Sequence, residues 1–322
     1  MGYLVVATDP LHSDFSGELE ELAVIGAELR TARCKTEEDV AEVCRDADGI
    51  IVTYAPVGRR ALAAMPRCRI VVRSGIGYDT IDLQAATEHK VMAANVPDYC
   101  ICEVADHAMA LMLCLWRRVS ELDSQVRVQG WGRMLRPVRR LEGQVLGIIG
   151  LGRIGRAVAA RARGFGLRRI AYDPYVPADV FSALEVEPVS LDALARSADI
   201  LTLHTPLTQE TRGLMRKEIF RQMKPGALFV NTSRGGVVIT DDLVQALREQ
   251  WISGAGLDVF EEEPLPGAHP LRSLPHVLLT PHAAWYSVES EQELRRRCAR
   301  TVVQVLRGEV PASLLNPEML AR

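Results

Sequence analysis

The chain has 322 residues, of which 48% are hydrophobic and 25% charged, a length that exceeds one ordinary core and favours two folded domains over a disordered chain. Its formal net charge of −3 gives no basic field for nucleic acid. No uninterrupted apolar stretch approaches the roughly 20 residues of a membrane span, so we predict a cytoplasmic protein that binds neither nucleic acid nor a membrane.

Short apolar strands alternate with helical segments along the chain, which predicts an α/β fold with parallel sheets. In the first part we predict strands at residues 3–8, 48–53, 69–73 and 91–95 and a helix at 17–24. A long helix at 102–118 then leads to further strands at 200–204, 227–231, 254–258 and 277–280, with a helix at 241–250. We expect the last helix, 288–307, to pack back on the first domain, which would make that domain discontinuous.

Residues 145–173 predict a complete dinucleotide-binding unit. A strand at 145–149 precedes the G-x-G-x-x-G motif of Gly150, Gly152 and Gly155, and a helix at 156–165 and a strand at 169–172 lead to Asp173. The glycines allow a tight turn, close approach of a pyrophosphate and close packing of the helix on the strand. An acid at this spacing accepts hydrogen bonds from the adenosine ribose and repels a 2′-phosphate. The predicted cofactor is therefore NAD(H) rather than NADP(H).

Arg234, Asp258, Glu263 and His282 lie at or beyond the carboxyl ends of predicted strands, where parallel sheets bind ligands. Arginine offers a positive fork for a carboxylate, histidine transfers protons near neutral pH, and a carboxylate beside the histidine favours imidazolium. These residues suit a dehydrogenase of 2-hydroxy or 2-oxo acids. Each also has a structural interpretation, as a surface arginine, an acid on a solvated loop or a histidine in a turn. Their spacing along the chain does not show that they meet.

The motifs, in this order, resemble the D-2-hydroxyacid dehydrogenase family over essentially the whole chain. The resemblance implies that Arg234 of TSRGG holds the substrate's carboxylate and carbonyl, that His282 of TPH is the proton donor, and that Glu263 of DVFEEEP supports it. It also implies a Rossmann-type doubly wound parallel sheet, residues 99–285, inserted in a smaller flavodoxin-like substrate domain formed by 1–98 and 286–322.

Further contacts follow from the same resemblance. The implied cofactor contacts are Gly150, Gly152, Arg153, Ile154, Gly155, Asp173, Thr205, Pro206, Thr232, Asp258, Ile76 and Val104. The implied substrate contacts are Arg73, Ser74, Gly75, Ile76 and Trp285. No metal site is predicted, because the seven cysteines are scattered without C-x-x-C pairs. His107 and His204 have no predicted catalytic role.

Within the family, TPHAAWYS at 280–287 and YDPY at 172–175 resemble the C-terminal-binding-protein (CtBP) branch of corepressors and their bacterial relatives. Trp285 would favour 2-oxo acids with an apolar or thioether side chain over a phosphorylated one, unless it packs in the core. Two alternatives stay open: a phosphoglycerate dehydrogenase, and an NAD(H)-sensing scaffold with little turnover. We also predict a homodimer through the cofactor domain, with residues 102–118 and the Trp131-containing arm 129–140 as the candidate interface.

Overall fold

A computed structural model of the chain describes residues 2–131 and 137–321 and divides them into two compact units. Residues 2–99 and 287–321 form the first unit, and Cys100–Tyr286 forms the second. Both units are α/β, as predicted. In the described part of the chain, no helix combines the length and the hydropathy that a membrane crossing requires.

The first unit is a five-stranded parallel sheet with the strand order β2-β1-β3-β4-β5, the flavodoxin-like arrangement. Its strands are β1 Leu4–Thr8, β2 Glu28–Ala32, β3 Gly49–Val52, β4 Ile70–Arg73 and β5 Met92–Ala94. Its helices are α1 Ser16–Ala23, α2 Glu37–Val43, α3 Arg59–Ala64, α4 Leu83–Glu88, α12 Val288–Leu306 and a 3₁₀ turn at Pro317–Ala321. Helix α12, from the end of the chain, packs on α1, β3 and β4.

The second unit is a seven-stranded parallel sheet with the order β12-β11-β10-β9-β6-β7-β8. Its strands are β6 Val145–Ile149, β7 Arg168–Tyr172, β8 Glu187–Pro188, β9 Ile200–Leu203, β10 Leu228–Asn231, β11 Gly254–Leu257 and β12 Val277–Leu279. Its helices are α5 Ile101–Trp116, α6 Val119–Gln129, α7 Arg153–Gly164, α8 Ala178–Ala183, α9 Leu191–Ser197, α10 Lys217–Gln222 and α11 Thr240–Arg248, with 3₁₀ turns at Gly235–Val237 and Pro270–Arg272.

The four central strands β6, β9, β10 and β11 are buried along their whole length, as strands of a parallel sheet covered on both faces are. The chain runs outward from β6 through β7 to β8 and returns to β9 on the other side of β6. This reversal makes the boundary between β6 and β9 the topological switch point, beside which such sheets bind nucleotides.

Candidate active site

The carboxyl ends of five neighbouring strands are level with one another in the second unit. Leu203 pairs with Ile149 and with Asn231, and Leu257 pairs with Asn231 and with Leu279. The loops that follow these strands therefore emerge side by side along one edge of the sheet. The three predicted catalytic residues follow β10, β11 and β12, which are adjacent.

The turn after β10 carries Arg234 and is organised by the side chain of Asn231. Its Oδ1 accepts hydrogen bonds from the Ser233 amide at 2.9 Å and hydroxyl at 2.8 Å, and its Nδ2 donates to the Arg234 carbonyl at 3.0 Å. A Cβ at Gly235 would lie 1.8 Å from the carbonyl carbon of Phe260, so only glycine fits. This close approach holds the turn against the loop that follows β11.

His282 lies in the turn after β12, and Asp258 holds that turn. Asp258 is fully buried, and its carboxylate accepts the Ala283 and Ala284 amides, both at 2.9 Å, and the Thr280 hydroxyl at 2.6 Å. The Asp258 carbonyl accepts the His282 amide at 2.8 Å. His282 has a φ of +54°, a left-handed conformation that a non-glycine residue keeps only where its surroundings impose it. Asp258 thus fixes the backbone on which the histidine sits.

His282 and Glu263 form a hydrogen-bonded pair, with Nδ1 of the ring 2.6 Å from Oε2 of the carboxylate. Oε1 of Glu263 accepts the Phe260 amide at 2.9 Å. Burial raises the pKa of Glu263, but the hydrogen bond and charge of His282, the Phe260 amide and the positive charge of Arg234 outweigh it and hold the pKa below its ordinary value. The structure therefore brings the three predicted residues to one site.

The glycine loop after β6 is crowded at two positions and open at a third. Gly150 has a φ of +89°, and a Cβ there would lie 2.8 Å from the His204 carbonyl; a Cβ at Gly155 would lie 2.0 Å from the Gly150 carbonyl oxygen. A Cβ at Gly152 would meet no atom within 4 Å. Gly152 precedes α7, whose first turn has no side-chain cap. The loop thus presents helix amides beside open space, which is how helices receive phosphate groups.

Residues 109–284 match the D-isomer specific 2-hydroxyacid dehydrogenase family in its NAD binding domain, and this match covers more than half of the chain. A glyoxylate reductase of Korarchaeum cryptofilum is 41% identical over 286 residues, which are 87% of this chain and 86% of the relative. The chain belongs to this family. Membership of this family confirms the predicted NAD cofactor and the predicted oxidoreductase class.

Other relatives of this 2-hydroxyacid dehydrogenase cover different shares of their own chains. A D-3-phosphoglycerate dehydrogenase of Methanocaldococcus jannaschii is 38% identical over 97% of this chain, which spans only 59% of that relative. Among solved structures, D-lactate dehydrogenase from Aquifex aeolicus, complexed with NAD and lactic acid, has a TM-score of 0.88 at 27% identity, covering 97% of this chain and 99% of that one. These relatives do not single out the CtBP branch.

The second unit of the dehydrogenase fits NAD. Asp173 accepts the Leu151 amide at 2.8 Å and the Tyr175 amide at 3.0 Å, so its negative charge is fixed beside the glycine loop, where it disfavours a 2′-phosphate. The buried Thr232 hydroxyl and Nδ1 of His204 have no hydrogen-bond partner within residues 2–131 and 137–321. Thr232 follows β10 and His204 follows β9, at the edge of the sheet where ligands bind. A bound group there would supply the missing hydrogen-bond partners.

The remaining predicted cofactor contacts of the second unit lie near this loop or on α5. Arg153 and Ile154 begin α7, and the Thr205 amide lies 2.9 Å from where a Gly150 Cβ would stand. The Pro206 carbonyl accepts the Thr211 hydroxyl at 2.6 Å. Val104 is buried in the first turn of α5. Their contact with the cofactor stays a prediction.

The predicted substrate loop at 73–76 belongs to the first unit of the dehydrogenase, at the carboxyl end of β4. An Arg73 guanidinium nitrogen donates to the Ser74 carbonyl. Gly75 has a φ of +146°, its carbonyl accepts the Val96 amide at 3.1 Å, and the Ile76 carbonyl accepts Nδ2 of Asn95 at 2.6 Å. The loop after β5 therefore supports the loop after β4 through Asn95, a residue that no motif marks.

Trp285 is half-buried and contacts Tyr286 edge to face, with ring centroids 5.5 Å apart. The structure also adds two residues to which the motifs assigned no role. The Thr280 hydroxyl bonds Asp258, and Nε2 of His107, on α5, lies 3.0 Å from that hydroxyl. No motif signals this contact, because 173 residues separate the two partners.

Proposed function

We propose that the chain interconverts a small D-2-hydroxy acid and its 2-oxo acid with NAD(H). The observation that carries the proposal is the 2.6 Å contact between His282 Nδ1 and Glu263 Oε2, with the charge of Arg234 acting on the same carboxylate. In this proposal Arg234 binds the substrate carboxylate and carbonyl, His282 is the general acid and base, and Glu263 orients it. The bound cofactor supplies or accepts the hydride.

In this proposal each ring nitrogen of His282 has its own role. Because Nδ1 faces Glu263, Nε2 is the atom that exchanges a proton with the substrate oxygen. During reduction, the carbonyl carbon gains the hydride and its oxygen gains the Nε2 proton, which yields the hydroxy acid. Arg234 draws electron density toward that oxygen, and Glu263 stabilises the protonated ring.

Replacement of His282 tests the assignment. We expect His282→Ala to lower kcat for 2-oxo acid reduction by about 10²–10⁴-fold while NADH still binds, because the variant loses the proton donor but keeps the glycine loop. Steady-state assays with glyoxylate, with NADH affinity measured by fluorescence, give the two readouts. Glu263→Gln should cause a smaller loss, and unchanged turnover in His282→Ala would exclude this residue as the acid.

The side chain of the substrate separates two candidate activities. In this proposal Trp285 offers an apolar surface to the substrate and favours phenylpyruvate or 4-methylthio-2-oxobutyrate over a phosphorylated oxo acid. A phosphoglycerate dehydrogenase is the second candidate, which the 38% identity to the M. jannaschii relative supports. Comparing kcat/KM for these oxo acids, hydroxypyruvate and 3-phosphohydroxypyruvate separates the two, and absence of turnover with every one would contradict the proposed function.

We further propose a cytoplasmic homodimer in which the second unit carries the interface. Two features of this unit support the proposal: Trp131 is 96% exposed, and a cavity of about 630 Å³ is lined by residues of α5, α6 and 137–139. Residues 132–136 of the predicted arm lie outside the described residues. Sedimentation should give the mass of two chains.

The likeness to the CtBP branch still rests on TPHAAWYS and YDPY, and a scaffold with little turnover would not require the His282–Glu263 pair.

A further inference from the structure

His107 stands outside the proposed catalytic set but contacts the residues that hold the His282 turn. It lies on α5, with its side chain 26% exposed, and its Nε2 is 3.0 Å from the Thr280 hydroxyl and 3.7 Å from Oδ1 of Asp258. Thr280 and Asp258 lie at the ends of β12 and β11, so His107 joins a helix to two strand ends.

The number of protons available determines which partner donates in the hydrogen bond between His107 and Thr280. A hydroxyl has one proton, and Thr280 donates it to the Asp258 carboxylate at 2.6 Å, since a carboxylate can only accept. The Thr280 oxygen therefore accepts from His107, and Nε2 of His107 carries a proton. A continuous chain of donors and acceptors thus runs from His107 through Thr280 to Asp258.

The chain of hydrogen bonds ends on the backbone that carries His282. The same Oδ1 of Asp258 that accepts the Thr280 hydroxyl also accepts the Ala283 amide at 2.9 Å, and Oδ2 accepts the Ala284 amide. The direction of the carboxylate therefore sets the position of the two amides that follow His282. Since His282 keeps a left-handed backbone, its turn depends on such external support.

We infer that His107 is a positioning residue for the proposed general acid His282, acting through Thr280 and Asp258. This inference rests on the proposed function for its catalytic consequence, and on the hydrogen bonds alone for its structural one. In the proposed mechanism His107 takes no part in the proton transfer itself. Its N–H keeps the Thr280 hydroxyl turned toward Asp258, which keeps the carboxylate aligned with the Ala283 and Ala284 amides.

The test compares a variant that loses the donor with one that keeps it. His107→Leu preserves bulk without an N–H, whereas His107→Gln retains an N–H donor. We expect the leucine variant to lower kcat for the preferred 2-oxo acid about five-fold, the effect of one hydrogen bond, with NADH affinity unchanged, and we expect the glutamine variant to recover most of the loss. His89→Leu, at an exposed histidine of the first unit, is the matched control and should equal the wild type.

A second pair of variants examines the route of the effect. If His107 acts through the hydroxyl, Thr280→Val lowers kcat by at least as much as His107→Leu, and the double variant is no slower than Thr280→Val alone. Thr280→Ser should be close to the wild type. Multiplicative losses in the double variant would overturn the inference, and so would equal kcat values for the leucine variant and the wild type.

Hydrogen exchange gives a readout that does not need turnover. The amides of Ala283 and Ala284 should exchange about five-fold faster in His107→Leu than in the wild type and the glutamine variant, because their acceptor is less well held. An inactive wild-type protein with this exchange pattern would contradict the proposed function but not the positioning role. An active wild-type protein whose exchange and kcat are unaffected by His107→Leu would contradict the positioning role alone.

Discussion

His204 has a buried ring nitrogen beside the glycine loop, and burial lowers its pKa. Burial lowers the pKa of this histidine to about 3, while Nε2 remains 3.0 Å from the Thr202 hydroxyl. In the unfolded chain the same ring takes up a proton near its ordinary pKa of about 6.5. Between these two values the unfolded state binds one more proton than the folded state, so stability must fall as the pH decreases through this window.

We expect His204→Gln to flatten this dependence. The wild type should lose up to ~1.4 kcal/mol of unfolding free energy per pH unit from this group below pH ~6.5, and the variant should lack that share. Urea unfolding between pH 7 and 4.5 measures both slopes, with His89→Gln as the surface control. Parallel slopes for the wild type and His204→Gln would show that the ring titrates in the folded protein as it does in the unfolded chain.

The sequence identified the proposed catalytic residues, but it did not identify the residues that position the loops around them. Arg234, Glu263 and His282 stand in short motifs after recognisable strands, and the structure brings them to one site. Asn95 and His107 have no such motif. Their importance arises from loops and helices distant in sequence, which meet only once the sheet register is set.

At the scale of the element, the glycine loop offers a matched pair of positions. A Cβ at Gly155 would lie 2.0 Å from a backbone oxygen of Gly150, whereas a Cβ at Gly152 would meet open space. We expect Gly155→Ala to force α7 away from β6 and to cost about 1–3 kcal/mol of stability, as overpacking does. Gly152→Ala should keep its stability yet weaken NADH binding, because its methyl group would occupy the space where the phosphates approach.

Thermal unfolding and NADH titration of both variants check this contrast. Equal stability losses would mean that the two positions are equally crowded, and undiminished NADH affinity in Gly152→Ala would mean that the phosphates lie elsewhere.

The predicted strands were those with apolar runs, because central strands of a parallel sheet are buried on both faces. The prediction of 145–149 coincides with β6, and most other predicted boundaries differ from the structure by one or two residues. Strand β2 was missed because its residues, ELRTA, are mostly exposed. An edge strand of this kind lacks the apolar pattern on which sequence reasoning depends.

At the scale of the whole molecule, ion pairs join α12 to α1 within the first unit. Arg295 binds the buried carboxylate of Glu18 in a bidentate pair at 3.0 Å, and their side chains are 11% and 6% exposed. The neighbouring pair of Arg296 and Glu20 is much more exposed. Breaking a buried pair leaves a charge without compensation, whereas an exposed pair contributes little.

We expect Glu18→Gln to destabilise the first unit by about 3–5 kcal/mol and Glu20→Gln by less than about 1 kcal/mol. Urea unfolding, together with hydrogen exchange of the β3 and β4 amides, reports on that unit. Similar small losses in both variants would show that α12 is held by its apolar face alone.

Because α12 packs on the first unit but follows the second unit in the chain, the core of the first unit cannot be completed early in synthesis. The Val302 side chain lies 3.0 Å from where a Cβ of Gly49, the first residue of β3, would stand. Val302 therefore fills part of the core beneath the sheet of the first unit. The ribosome adds this helix after all of Cys100–Tyr286 has been made. The cofactor-binding unit is therefore synthesised before α12, and the apolar surface of β3 that α12 covers stays uncovered until this helix has been made.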